Sequence, residues 1–272
     1  MLFRSVDISL EPLIEGVKIF EVVKNGSPHS KVDLAFIAEG YTAEQEEKFK
    51  KDLEKFSKIF LEREPYKTYQ NQFNIYGVFK PSAQSGCDEP EIGIFKRTAI
   101  SATFNSLGSE RYLMTEDNKS LRDIASHVPY DTLCILVNHN RYGGGGIYRL
   151  YSTFPADNDF PEYLLIHEFG HSFGGLGDEY YNSSVAYNDF YPLDVEPTEP
   201  NLTILSDPKN IKWKKFLSDK IALPTPWPKK EHDEWISYYI KTINEIYSKI
   251  GKLEKSGRSE ERRVGKECRS RW

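Results

Sequence analysis

The chain has 272 residues, with 36 Lys and Arg against 41 Asp and Glu, so its formal charge of −5 argues against a nucleic-acid partner. Hydrophobic residues make up 39%, and no apolar run approaches the roughly 20 residues that span a bilayer. This is a globular composition, large enough for one sizeable catalytic domain or two small ones.

Residues 1–30 alternate short apolar clusters with Gly and Pro and are expected to form a lead-in strand or linker. Met1 to Asp7 lacks the apolar core and small-residue cleavage site of a signal peptide. Val32 to Ala38 is a continuous apolar run, the pattern of a strand buried on both faces in an α/β sheet. Thr42 and Gln45 form a capping box, and Phe49, Leu53, Phe56 and Phe60 mark the buried stripe of the helix that follows. Phe73 to Phe79 is a second strand, so the opening is β-α-β and a parallel sheet is expected. Residues 81–109, rich in Ser, Gly and Pro, are expected to wander over the surface.

Glu116 to Ala125 has a helical pattern, and Thr132 to Val137, which includes Cys134, is a third buried strand. The run Gly143-Gly144-Gly145-Gly146 precedes Ile147 to Phe154, whose period-two alternation predicts a half-exposed edge strand. No G-K-[ST] follows the glycines and the next element is a strand, which argues against a phosphate loop; an edge strand there suits either strand addition by an extended peptide or an ordinary hairpin turn. Tyr180 to Pro208 lacks periodicity and is expected to wrap the region before it. Lys209 to Leu217 is expected to be a short helix, Pro224 to Pro228 extended, and Glu231 to Lys252 a longer helix with Trp235, Tyr239, Ile243 and Ile246 along one side. His29, His127, His139 and His232 read as ordinary surface or loop histidines.

Residues 258–272 resemble the conceptual translation of a sequencing adapter, so they are expected to be foreign and the natural chain to continue beyond Gly257. Without them the protein loses six Arg or Lys, three Glu and Cys268, and becomes more acidic. The expected organisation is thus a lead-in over 1–30, a catalytic domain over 31–257 and a non-native tail.

The stretch that carries chemistry runs from Ile166 to Tyr180 and contains H-E-x-x-H, as His167-Glu168-Phe169-Gly170-His171. Tyr163 to Phe173 reads as a helix, introduced by Asp159, Pro161 and Glu162 and closed by Gly174-Gly175. Histidines four residues apart share one helical face and can bind one Zn²⁺, with Glu168 beside its water. Leu165, Ile166, Phe169 and Phe173 are expected on the opposite, core-facing side. A metzincin delivers its third ligand three residues after the glycine that turns the chain. Counted from Gly174 that position is Gly177, which has no side chain; counted from Gly175 it is Asp178, the preferred third ligand. Glu179 and the more distant Asp189 are the competing carboxylates.

Together, Lys31-Val32-Asp33, Ala38 to Thr42, Gly108 to Tyr112, the glycine run, His167 to Tyr181 and Ser184 to Pro192 resemble the igalysins. These are bacterial metallopeptidases related to the immunoglobulin A peptidase and grouped with the metzincins. The resemblance covers roughly residues 30–208. It implies a metzincin-like α/β peptidase domain with a twisted, mostly parallel sheet, a backing helix and an active-site helix. It also implies zinc on His167, His171 and Asp178, Glu168 as catalytic acid/base, a protein substrate, and a secreted or cell-envelope location. The chain departs from the metzincin pattern in that its methionines, Met1 and Met114, both precede the third ligand, where a methionine turn would follow it. The expected reaction is attack of a zinc-activated water on a peptide carbonyl with Glu168 as base, with Tyr180, Tyr181 or Tyr187 near the oxyanion. A non-catalytic zinc-binding surface protein that recognises protein or glycan is the competing reading.

Overall fold

The computed structural model describes residues 14–179, 191–192, 194–226 and 228–255. The chain divides into two compact units, Met1–Ile204 and Leu205–Trp272.

The first unit is built on one sheet of six strands: β1 (Lys18–Val23), β2 (Val32–Glu39), β3 (Phe73–Phe79), β4 (Thr132–Val137), β5 (Gly145–Ile147) and β6 (Tyr151–Pro155). Their order across the sheet is β1-β3-β2-β4-β6-β5. The pairs β2–β3, β2–β4 and β4–β6 are parallel, and the two edges are antiparallel. The architecture is therefore mixed α/β with a mostly parallel sheet, as the apolar runs predict. Within β2, Leu34, Phe36 and Ala38 join one core cluster while Ala35 and Ile37 join the other. A strand covered on both faces has no polar side to display, hence its continuous apolar sequence.

Helix α1 (Glu46–Glu62) follows a short 3-10 turn in which the Gln45 side chain accepts from the Thr42 N–H at 3.0 Å. Its stripe of Phe49, Leu53, Phe56 and Phe60 is buried on the same sheet face as Leu164, Leu165 and Phe169 of α3 (Pro161–Gly174). Helix α2 (Asn118–Ala125) covers the opposite face through Leu121, Ile124 and Ala125. Phe60 joins three elements, stacking on Tyr66 at 4.4 Å and meeting Phe73 and Phe169 edge-on, each at 5.0 Å. Arg63 and Glu162 pair between the end of α1 and the start of α3.

Several expectations are corrected. Residues 147–154 are not one half-exposed edge strand: the chain turns at 148–150, β6 is buried along its length between β4 and β5, and the edge is β5. The alternation that suggests exposure reflects Ser152 and Thr153, both fully buried, with the Thr153 hydroxyl bonded to the Leu113 carbonyl. Residues 81–109 run along the surface, as expected, but are anchored to the core at several points. Cys87, Ile100, Ala102 and Phe104 are buried in the α2-side cluster. The Glu39 carboxylate, fully buried at the end of β2, accepts from the Thr98 hydroxyl and from the N–H groups of Ile100 and Ala102. Burial pushes its pKa up, against these hydrogen bonds.

In the second unit the helix expected over 209–217 shrinks to a 3-10 turn at Lys214–Phe216, and α4 spans Lys229–Lys255. On α4, Trp235 and Tyr239 touch at 4.5 Å, while Trp235 and Ile243 are exposed. Among the described residues no helix is long and apolar enough to cross a membrane. The tail at 258–272 lies outside the described residues.

Because Phe60 holds α1, β3 and α3 in one aromatic cluster, Phe60→Ala is expected to destabilise the first unit by about 3–5 kcal/mol. Urea unfolding should show this as a lower midpoint with an unchanged slope.

Candidate metal centre

Helix α3 begins with Pro161, whose missing N–H costs nothing in the first turn, and carries Glu162 where the helix dipole favours an anion. It ends at Gly175, which adopts the left-handed conformation with φ of 63°. The Gly175 N–H bonds to the His171 carbonyl at 3.1 Å, the bond of an αL stop, and the Leu176 N–H bonds to the Gly170 carbonyl at 3.2 Å. Gly175, not Gly174, is the turning residue.

This turn brings three donor atoms together. The Nε2 atoms of His167 and His171 are 3.2 Å apart, and Asp178 Oδ1 lies 3.3 Å from the first and 3.1 Å from the second. The His171 Nδ1 donates to the Leu176 carbonyl at 2.6 Å, which turns Nε2 toward Asp178. Tyr163 stacks on the His167 ring at 5.2 Å. Burial works against the Asp178 carboxylate, but the hydrogen bonds from both histidines outweigh it and hold its pKa well below the usual range. The Asp178 contact in turn pushes His171 up to about 9, against burial.

Glu168 also brings an oxygen within 4.8 Å of ligand atoms of both histidines, so two triads share the same imidazoles. Its setting differs from that of Asp178. Glu168 is only 7% exposed, whereas the Asp178 side chain is 45% exposed. Burial pushes Glu168 up to about 7, with the two histidines opposing. This makes it a carboxyl that exchanges a proton near neutrality instead of a standing anion.

The glycine run causes that burial. A Cβ on Gly144 would sit 2.4 Å from Glu168 Oε1, and one on Gly146 would sit 2.4 Å from the Glu168 carbonyl oxygen and 2.7 Å from His171 Cβ. Only glycine permits so close an approach of β5 to α3. The histidine side of α3 is therefore packed against a strand, while Phe173, expected in the core, is 40% exposed. Outside β5, the Gly144 N–H bonds to the Arg111 carbonyl and its C=O accepts from the Leu113 N–H, each at 3.0 Å.

Sequence reasoning misses two residues of the cradle beneath Asp178. Asn201 bonds to both sides of Gly177 and to Glu179, and the Tyr191 hydroxyl bonds to Glu199. Burial, then that bond, pushes Tyr191 up to about 12, and Asp178 adds to the shift. Both residues lie in a stretch without periodicity; Tyr191 falls within the Ser184 to Pro192 block of the resemblance, whereas only its chemistry could have marked Asn201. Tyr180, Tyr181, Tyr187 and Asp189 lie outside the described residues.

Comparison with known families supplies the wider context. The family described as IgA peptidase M64 matches residues 20–258, most of the chain, starting inside β1 and running beyond α4. No curated protein matches. The chain belongs to the IgA peptidase M64 family, the igalysins, and is thereby a metallopeptidase by family.

Proposed function

We propose that this protein is a zinc-dependent endopeptidase in which His167, His171 and Asp178 hold the metal and Glu168 is the general base and acid. The observation that carries the reading is the triangle of Nε2, Nε2 and Oδ1, with edges of 3.1–3.3 Å. Ligands about 2.0–2.1 Å from a tetrahedral Zn²⁺ lie roughly 3.3–3.4 Å apart, so this donor set fits that ion and leaves a fourth position for water or substrate. Asp178 is preferred to Glu168 as third ligand because it meets both imidazoles and stays ionised, while Glu168 is buried and protonatable.

When bound, zinc acidifies a water molecule and polarises the scissile carbonyl. Glu168 takes the proton from the attacking water on a carboxylate oxygen and returns it to the departing nitrogen. Gly144 lies against that carboxylate and Gly146 against the Glu168 backbone, and burial there raises the carboxyl pKa to about 7. The bond from His171 Nδ1 to Leu176 fixes the tautomer that leaves Nε2 free to coordinate.

An extended substrate fits along β5 and not along 147–154. Backbone groups of alternate strand residues point the same way. Gly146 therefore directs its N–H and C=O to the side from which Arg111 and Leu113 meet Gly144, next to His171. An extracytoplasmic place of action, as in the family, belongs to the same proposal.

Replacing Glu168 with Gln is expected to leave one zinc per chain and to lower kcat on casein or immunoglobulin A peptides by about 10²–10⁴-fold. Full proteolysis by that variant would sink the mechanism, and tight zinc with no turnover in the parent protein would favour the binding-protein reading.

The metal-free protein should show the protons that zinc displaces. Glu168 and His171 both have folded pKa values raised, to about 7 and about 9, so the stability they confer is complete below their unfolded values of 4.5 and 6.5. It is lost as pH rises through the folded values. The melting temperature without metal should therefore fall between pH 6 and 9, a slope that saturating zinc should flatten. Asp178, shifted down, acts in the opposite sense and only at acid pH.

A further inference from the structure

We infer that Asn201 is a positioning residue that selects Asp178 over Glu179 as the third metal ligand, an inference that rests on the metallopeptidase reading above. After the Gly175 stop the chain runs through Leu176 and Gly177 into two adjacent carboxylates, and nothing in their chemistry ranks one above the other as a ligand. The two carboxylates diverge: Asp178 Oδ1 meets both imidazoles, whereas Glu179 Oε1 meets Asn201.

The Asn201 amide sets that divergence. Its Oδ1 accepts from the Gly177 N–H at 2.8 Å, and its Nδ2 donates to the Gly177 carbonyl at 2.8 Å and to Glu179 Oε1 at 2.7 Å. A primary amide has one acceptor and two N–H donors, and all three functions are used. The orientation of the amide is unique, because flipping it would set donor against N–H and acceptor against C=O and the carboxylate. Glu179 is thus held away by the same group that grips Gly177, while Asp178 Oδ1 is left 3.1 and 3.3 Å from the two imidazoles.

Shape reinforces the grip. A Cβ on Gly177 would lie 2.4 Å from Leu202 Cδ1 and 3.2 Å from Glu199 Cγ, so the segment that carries Asn201 lies directly against the Gly177 backbone. The Ile204 N–H bonds to Glu196 Oε2 at 3.3 Å, which closes that segment on itself.

The test is a double-mutant cycle on zinc affinity, read by chelator competition, with hydrogen exchange and melting followed on the metal-free proteins. Asn201→Ala is expected to weaken zinc binding by about 10–100-fold, the usual penalty for losing a group that orients a ligand. Asp178→Ala should weaken it more in the parent protein than in the Asn201→Ala background, where Glu179 is released to substitute. Adding Glu179→Ala to that double variant should remove the residual binding. Equal penalties for Asp178→Ala in both backgrounds would overturn the inference. So would an Asn201→Ala variant whose loss of zinc affinity merely follows its loss of melting temperature without metal. The Gly177 amide should be protected from exchange in the metal-free parent and unprotected in Asn201→Ala. An unprotected amide in the parent overturns the inference directly. A parent that holds Gly177 protected but binds no zinc overturns the metallopeptidase reading and leaves the clamp standing.

Discussion

The reversal of the chain at Gly175 is the constraint on which the rest of the centre depends. A helix can present two histidines on one face by spacing alone, but a third donor has to come from outside the helix and return to the same point. The left-handed residue does this within three positions: it stops α3, aims the Leu176 carbonyl at His171 Nδ1, and starts the segment that ends on Asp178. Orientation of the His171 ring and placement of the Asp178 carboxylate beside it therefore follow from a single backbone conformation that side-chain-bearing residues rarely adopt.

The opposite wall of the centre is set by absence of side chains. Because Gly144 and Gly146 let β5 lie against α3, Glu168 is removed from water without a bulky residue between strand and helix. Burial dominates its raised pKa, and the two histidines moderate it. Larger residues in this strand would force it off the helix and rehydrate the carboxylate, so the geometry of an edge strand and the proton affinity of Glu168 are one physical variable here.

Much of this was legible in the sequence because the relevant signals are local. Continuous apolar runs marked β2, β3 and β4, the capping box marked the approach to α1, and helical spacing marked His167 and His171. Gly177 has no side chain, so the count that starts from Gly175 points to Asp178, and Gly175 is the residue at which the chain turns. What was not legible is non-local. Ser152 and Thr153 look solvent-facing by alternation, yet they are buried because the Thr153 hydroxyl finds the Leu113 carbonyl forty residues away. The stretch over 81–109 reads by composition as a surface loop, yet Glu39 anchors it with three hydrogen bonds that no periodicity encodes. Asn201 escaped for the same reason, being 24 residues from the peptide it holds.

These non-local contacts share a direction. The back of α3 enters the aromatic cluster around Phe60, and its front meets β5, so the helix is held on two sides by elements far apart in sequence. A side chain on such a helix loses little further freedom when a metal or substrate arrives, because its backbone is already fixed. The part of the centre that is not on a regular element is the run from Leu176 to Glu179, and there the anchoring is polar: the helix-stop bonds of Gly175 and Leu176 at one end and the Asn201 amide at the other. Hydrogen bonds specify direction where apolar packing specifies only proximity. A carboxylate that must be chosen over its immediate neighbour needs direction, which is why this stretch is tied down by an amide and not by a larger hydrophobic core.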